Sequence, residues 1–211
     1  MPDIKRSPKS SQLKAEIAAY KRRRILEEAT ELFFTQGYDS ATLDAVAERL
    51  DVTKPFIYSY YKNKGDLLRE VCQTGIRLSL SALEGALAVD GTATEQLKVV
   101  VERVARIIIE NQRYISVYLR EEKNLDPVDA RNIREMRHHF DELLGDLLAK
   151  GKKTGEFDIA DPSRTAIWLS GLLSWIALWY HEGGHWSATE VVMDAINMVM
   201  KMVQPRSAAR A

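Results

Sequence analysis

The chain has 211 residues, 45% of them hydrophobic and 28% charged, with 11 glycines and 6 prolines; this suits one or two packed domains and excludes collagen-like, mucin-like and fully disordered chains. Its single cysteine, Cys72, excludes an internal disulfide and a thiolate-based zinc site, which would need several Cys ligands. Lys and Arg (30) balance Asp and Glu (30), but residues 1–24 carry 8 basic against 2 acidic side chains, which points to a localised anionic partner.

Residues 1–12, with Pro2, Pro8, Lys5, Arg6 and Lys9, read as a flexible basic arm. They are polar and lack the apolar h-region of a signal peptide. From Leu13 onward the pattern is helical, and β-branched residues never alternate with polar ones over a useful length. An all-α fold of about nine helices is expected. The first helix runs from about Lys14 or Lys21 to Gln36, with Ile25, Ala29, Leu32 and Phe33 as its inner stripe and Gly37 as its stop. Thr42 caps a second helix with Leu43, Val46, Ala47 and Leu50 inward. After the break Asp51-Val52-Thr53, a third helix starts with Pro55 in its first turn and ends near Tyr61. A fourth begins at Asp66.

Two short helices joined by three residues form a helix-turn-helix. Ala47 is small enough for the helices to cross, Val52 fills the turn, and Ile57 and Tyr61 point one face of the third helix to the core. The other face carries Lys54, Tyr58 and Ser59, flanked by Phe56 and Tyr60, with Lys62 and Lys64 after it. Lysines, phenols and a helix N-terminus are groups that grip phosphate oxygens, and the first residues of such a helix reach base edges.

The run "ILEEATELFFTQGYDSATLDAVAERLDVTKPFIYSYYKNKGDLL" resembles the DNA-binding domain of TetR/AcrR-family transcriptional regulators. It has the F-x-x-x-G-Y end of the first helix, Thr before the second, the aromatic Tyr58 and Tyr61, and K-x-K-x-x-L-L into the fourth. The resemblance implies DNA contacts from Thr42, Thr53, Lys54, Phe56, Tyr58, Tyr60 and Lys64. It departs at Leu50-Asp51, where the family commonly has Gly, and at Phe56, where a small polar residue is frequent; Phe56 is therefore expected to meet thymine methyls. The cluster Lys21-Arg22-Arg23-Arg24 and the arm are expected along the DNA backbone or in a minor groove.

The rest of the chain reads as longer helices. Thr92–Glu95 and Ser187–Glu190 are capping boxes, and Asp126-Pro127 and Asp161-Pro162 are caps followed by proline. The expected helices run to about Asn111, from Arg113 to Glu122, and then to Lys150, His181 and Val203. The uncharged run Thr165–Tyr180 is too short to span a membrane and reads as a buried helix. The expected division is an arm (1–12), a helix-turn-helix domain (13–65), a ligand-binding and dimerisation body (66–204) and a tail (205–211).

The helix from Pro162 is apolar nearly all round and needs cover on two sides. A second copy is the simplest cover, and the resembled family usually dimerises through its last two helices. Leu172, Ile176, Trp179, Val192, Ala195 and Val199 are the expected interface. Arg103, Tyr114, Tyr118, Arg120, His138, His139, Trp168 and Trp175 together suit an elongated ligand pocket with aromatic walls and a cationic mouth. The segment "SGLLSWIALWYHEGG" resembles regulators of that family that sense acyl-CoA thioesters or related lipophilic acids. His181 and His185 read as structural, and Cys72 as a buried small hydrophobe.

No G-x-S-x-G, Walker, H-E-x-x-H or dinucleotide fingerprint occurs, so no catalytic residue, metal or cofactor is expected. The expectation is a cytoplasmic homodimeric regulator, a repressor of a palindromic operator in double-stranded DNA, released by a small lipophilic effector and without a membrane partner. An all-α acyl-CoA-binding enzyme and a helical adaptor without DNA function are the alternatives.

Overall fold

The structure, a computed structural model, describes residues 8–204, with side chains from Gln12 onward. Among these residues there are nine α-helices, one 3-10 turn and no strand. They divide into two compact units, a head up to Val71 and a body from Cys72.

The head holds α1 (Pro8–Gln36), α2 (Leu43–Arg49), α3 (Lys54–Tyr58) and the start of α4 (Lys64–Leu87). Residues 8–12 are the first turns of α1, because Pro8 stands at a helix start, where its fixed φ suits the helix and its missing N–H costs nothing. Lys5 and Arg6 lie outside the described residues, as does the tail from 205. Further along α1, Ile25, Ala29, Leu32 and Phe33 are buried as their spacing requires. Gly37, at φ 79°, ends the helix.

Thr42 caps α2, its Oγ1 accepting from the Ala45 N–H at 3.1 Å. The turn into α3 depends on Asp51, at φ 52°, the one described non-glycine residue in the left-handed region. Asp and Asn tolerate that conformation because their side chains bond locally. α3 stops at Tyr58, three residues short of expectation, since the Ser59 hydroxyl donates to the Phe56 carbonyl (2.7 Å) and closes the last turn. Two further backbone bonds to the Ile57 carbonyl still bring Tyr61 into the core. α4 starts at Lys64, two residues early, because Asn63 Oδ1 accepts from the Asp66 N–H at 2.9 Å.

The body continues from α4 with α5 (Ala93–Glu110), α6 (Gln112–Glu121), a 3-10 turn (Glu122–Asn124), α7 (Pro127–Thr154), α8 (Pro162–Trp179) and α9 (Ala188–Val203). Both capping boxes form as read. One apolar core runs through α5, α7, α8 and α9, from Leu97 and Val104 through Leu144 and Leu148 to Leu169, Leu173, Val192 and Val199. α8 ends at Trp179, two residues before His181, and α6 holds that end. Gln112 Nε2 (3.0 Å) and the Ser116 hydroxyl (2.6 Å) both donate to the Ala177 carbonyl. Cys72 is fully buried, and burial pushes its thiol up to about 12. No described helix is long and apolar enough to cross a membrane.

The N-terminus of α5 is held by a residue far away in sequence. Glu156 accepts from the Ala93 N–H (3.3 Å) and the Thr94 N–H (2.8 Å), two donors that have no partner inside the helix. These bonds, the Thr94 N–H first and the Thr154 hydroxyl next, hold the carboxyl down at about 2, below its ordinary 4.5. A depressed carboxylate stabilises the fold fully above its unfolded pKa and loses that contribution as pH falls through the folded one. Glu156→Gln is therefore expected to lower the melting temperature at about pH 6, with the gap to wild type shrinking by about pH 3. Calorimetric scans across that range check it; a gap that stays constant would remove the carboxylate's role.

Candidate nucleic-acid interface and body cavities

Seven head residues are candidates for DNA contact, and the structure sorts them into two groups. Thr42, Thr53, Lys54 and Tyr58 face solvent, Tyr58 being 51% exposed. Their outward direction follows from what lies behind them. Ile57 and Tyr61, on the opposite side, are 0% and 1% exposed. Lys54 Nζ lies 2.5 Å from Asp44 Oδ2 on α2, and that bond raises the ammonium pKa. The pair links the start of α3 to α2 across a solvent-exposed surface.

Phe56, Tyr60 and Lys64 turn inward instead. Phe56 packs against Tyr60 with ring centroids 5.3 Å apart, and Lys21 Nζ sits 5.5 Å over its ring. The expected thymine contact would have to come from a half-buried ring already in contact with Tyr60 and Lys21. Lys64 Nζ donates to the carbonyls of Tyr38 (2.7 Å) and Asp39 (3.1 Å) and lies 4.3 Å over the Tyr38 ring. Its charge thus ties α4 to the loop between α1 and α2. Lys62, two residues earlier, is exposed and lines a shallow cleft with Thr42, Tyr58 and Asn63.

Arg22 departs furthest from expectation. It does not stand free in a basic cluster: its Nε donates to Glu70 Oε1 at 2.9 Å, and Nη2 pairs with Oε2. Its guanidinium lies 4.6 Å over the Tyr61 ring, and Nη1 reaches the Tyr60 carbonyl at 3.5 Å. One side chain of α1 thereby binds the segment after α3 and the first turns of α4. The hydrogen bond to Glu70 raises the Arg22 pKa. Sequence periodicity could not distinguish this residue from Arg23 and Arg24, which pair with the neighbouring Glu27.

The body has two hollows. The first is a cavity of about 380 Å³ between α4, α5, α6, α7 and α8, walled by Ile76, Val104, Ile108, Ile115, Phe140 and Leu173. Its polar groups are Tyr118, Arg137, Asp141, Ser79, Ser170 and Ser174. Of the expected ligand residues only Tyr118 lines it. Arg103 donates to the Gly85 carbonyl at 2.6 Å, and His138 pairs with Glu142 at 3.2 Å, so both are occupied elsewhere. Tyr114, Arg120 and His139 are not among the lining residues either, and Trp168 and Trp175 belong to the second hollow. Arg137 and Asp141 escape the sequence reading. They share a face of α7 with Phe140 and Leu144, at i, i+3, i+4 and i+7, and that stripe is the available signal. Tyr118 is 5% exposed; burial raises its phenol pKa, and its oxygen accepts from Arg137 Nη1 at 3.3 Å.

The second hollow is an open groove of about 660 Å³ on α8 and α9, lined among others by Trp168, Trp175, Trp179, Trp186, Met198 and Met202. The expected interface residues Ile176, Val192, Ala195 and Val199 are buried within the chain's own core. Leu172 is half-buried, and Trp179 is 38% exposed. On α9, Val191, Val192, Ala195 and Val199 turn inward, while Asp194, Met198 and Met202 turn outward. No group of three or more described His, Cys, Asp or Glu side chains is placed to hold a metal ion.

The Arg22 contacts lead to a measurable expectation. Arg22→Met removes the pair with Glu70 and the cation over Tyr61. With Arg22 partly solvent-screened, the head should lose about 1 kcal/mol. Chemical denaturation followed at the head would contradict the clamp if the midpoint did not move.

Comparison with known proteins bears on both units. Residues 25–71 match the family described as bacterial regulatory proteins, tetR family, and residues 90–203 match the tetracyclin repressor-like, C-terminal domain. The HTH-type transcriptional repressor KstR of Mycobacterium tuberculosis is 27% identical over 172 residues, 79% of this chain and 76% of that protein. The crystal structure of the TetR-family regulator PfmR from Thermus thermophilus superposes with a TM-score of 0.79 at 27% identity, covering 84% of this chain and 97% of that one. AibR, solved in complex with isovaleryl coenzyme A and operator DNA, shares the fold with a TM-score of 0.76 at 20% identity, covering 84% and 97%. The chain belongs to the TetR family of bacterial regulatory proteins: it is a transcriptional regulator and not an enzyme.

Proposed function

We propose that the chain acts as a homodimeric repressor that binds a palindromic operator through α3 and leaves it when a small lipophilic effector enters the cavity between α4 and α8. The observation that carries the DNA reading is the two-sidedness of α3 and its flanks: Ile57 and Tyr61 are buried while Thr53, Lys54 and Tyr58 are presented outward. KstR is named a repressor, and the AibR complex holds operator DNA; both support the same role here. Two copies related by a two-fold axis would set two such helices about one DNA turn apart, roughly 34 Å.

The groove on α8 and α9 supports the dimer. Trp168, Trp175, Met193, Met198 and Met202 stay exposed on these two helices of the single chain. A large exposed apolar patch marks an interaction surface, and self-association through a two-fold axis covers it twice over. The cavity supports the effector. It is within the size range of ligand sites, and most of its lining is apolar. Gly75, Ile76 and Ser79 of α4 line it, and the same helix begins at Lys64, which grips the α1–α2 loop. An effector that prefers a shifted α4 would thus favour a head geometry that no longer fits one DNA turn. AibR was solved with isovaleryl coenzyme A, so acyl-CoA thioesters belong in any effector panel.

Two measurements test this. In gel shifts on the chain's own promoter fragment, Tyr58→Ala is expected to weaken binding at least about tenfold, roughly 1.4 kcal/mol, with an unchanged melting temperature for the body. Full affinity in that variant would count against α3 as the reading element. In sedimentation, wild type is expected as a dimer and Trp175→Glu as a monomer, since a carboxylate cannot be desolvated without a partner. A dimer that tolerates Trp175→Glu would move the interface elsewhere.

A further inference from the structure

The mostly apolar cavity between α4 and α8 holds a separated pair of opposite charges, and that pair selects the effector's head group. This rests on the reading of the cavity as the effector site. Its charged lining is a single cation, Arg137, and a single anion, Asp141. They stand four residues apart on α7, a spacing at which opposite charges on one helix commonly bridge each other. Here they do not. Arg137 leans to α6, where its Nη1 donates to the Tyr118 hydroxyl oxygen at 3.3 Å and lies 3.8 Å from Glu122 Oε2, just past that helix. Asp141 leans to α8, where its Oδ1 accepts from the Ser170 hydroxyl at 2.6 Å. Asp141 has no ion-pair partner among the described residues. The two charges therefore stay apart, one held by each wall.

Both groups keep unused capacity. Arg137 spends one N–H on Tyr118 and has the rest of its fork to give, since Glu122 lies beyond hydrogen-bond reach. Asp141 Oδ2 accepts from no described residue. The lining thus offers a cation with free donors and an anion with a free oxygen, about one helical turn apart, and the two sum to no net charge. A purely anionic head would pair with Arg137 and meet Asp141 as a like charge, and a purely cationic head the reverse. An uncharged body would strip water from both and pair with neither. A head that carries both signs satisfies both groups at once. We propose that the cavity takes a lipophile with a zwitterionic head, an ammonium and a carboxylate on one carbon, as in an α-amino acid with a long apolar side chain. Its carboxylate sits against Arg137 and its ammonium against Asp141, and the apolar body lies along Ile76, Val104, Ile108 and Phe140.

The test titrates probes of one chain length into the full-length protein by calorimetry: 2-aminooctanoic acid, octanoate, octylamine and octanoyl-CoA. The amino acid is expected to bind at least about tenfold more tightly than each of the others. Asp141→Asn should cost the amino acid about tenfold and leave octanoate no weaker, whereas Arg137→Gln should cost it about tenfold and leave octylamine no weaker. A merely structural role for either residue would not split the probes in this way. If a variant does not fold, the ranking on wild type decides alone. Octanoate, octylamine or octanoyl-CoA binding as tightly as the amino acid, or an amino acid affinity that neither substitution changes, would overturn the head assignment and leave the cavity as an effector site. No binding by any of the four would overturn both.

Discussion

A helix of five residues has no stability of its own; its nucleation cost exceeds what its few hydrogen bonds return. α3 is held because Ile57 within it and Tyr61 just after it are buried, and because the turn at Asp51 sets it against α2. That single anchoring determines the rest of the head. With one side fixed inward, Lys54 and Tyr58 have nowhere to go but outward, and Ser59 ends the helix before it can rotate them away. Arg22 then joins α1, the segment after α3 and α4 through one guanidinium, and Lys64 ties α4 to the loop that leads into α2. The outward face of α3 is therefore defined from behind, by burial and by two cations that themselves bond to the protein.

The parts of the fold governed by local rules were legible in the sequence. Both capping boxes, the proline-led starts of α7 and α8, the glycine stop of α1 and the inner stripe Ile25–Phe33 depend on residues within a turn or two of one another, and they appear where periodicity puts them. The outward position of Tyr58 and Lys54 was legible for the same reason. What escaped was tertiary. Lys64 and Arg22 look like free cations in a one-dimensional reading, and only the fold brings the Tyr38 carbonyl and Glu70 within reach. The helical start at Pro8 was hidden by polar composition, which reads as an arm when no core face is required.

The body shows the same limit in another form. An all-apolar α8 and a striped α9 do announce two buried faces, but a stripe does not say which half belongs to the chain and which to a neighbour. Val192 and Val199 pack on the core with α5, whereas Met198 and Met202 do not. The cavity residues Arg137 and Asp141 are easily passed over beside the adjacent His138 and His139, which face away and pair with Glu142.

The groove has one more property. The chain contains four tryptophans, and Trp168, Trp175, Trp179 and Trp186 all line that same groove. The indoles of Trp179 and Trp186 meet edge to face, with centroids 6.1 Å apart. Neither the head nor the cavity between α4 and α8 holds an indole. The intrinsic ultraviolet emission of the protein is consequently a local signal, a built-in optical reporter of what covers α8 and α9.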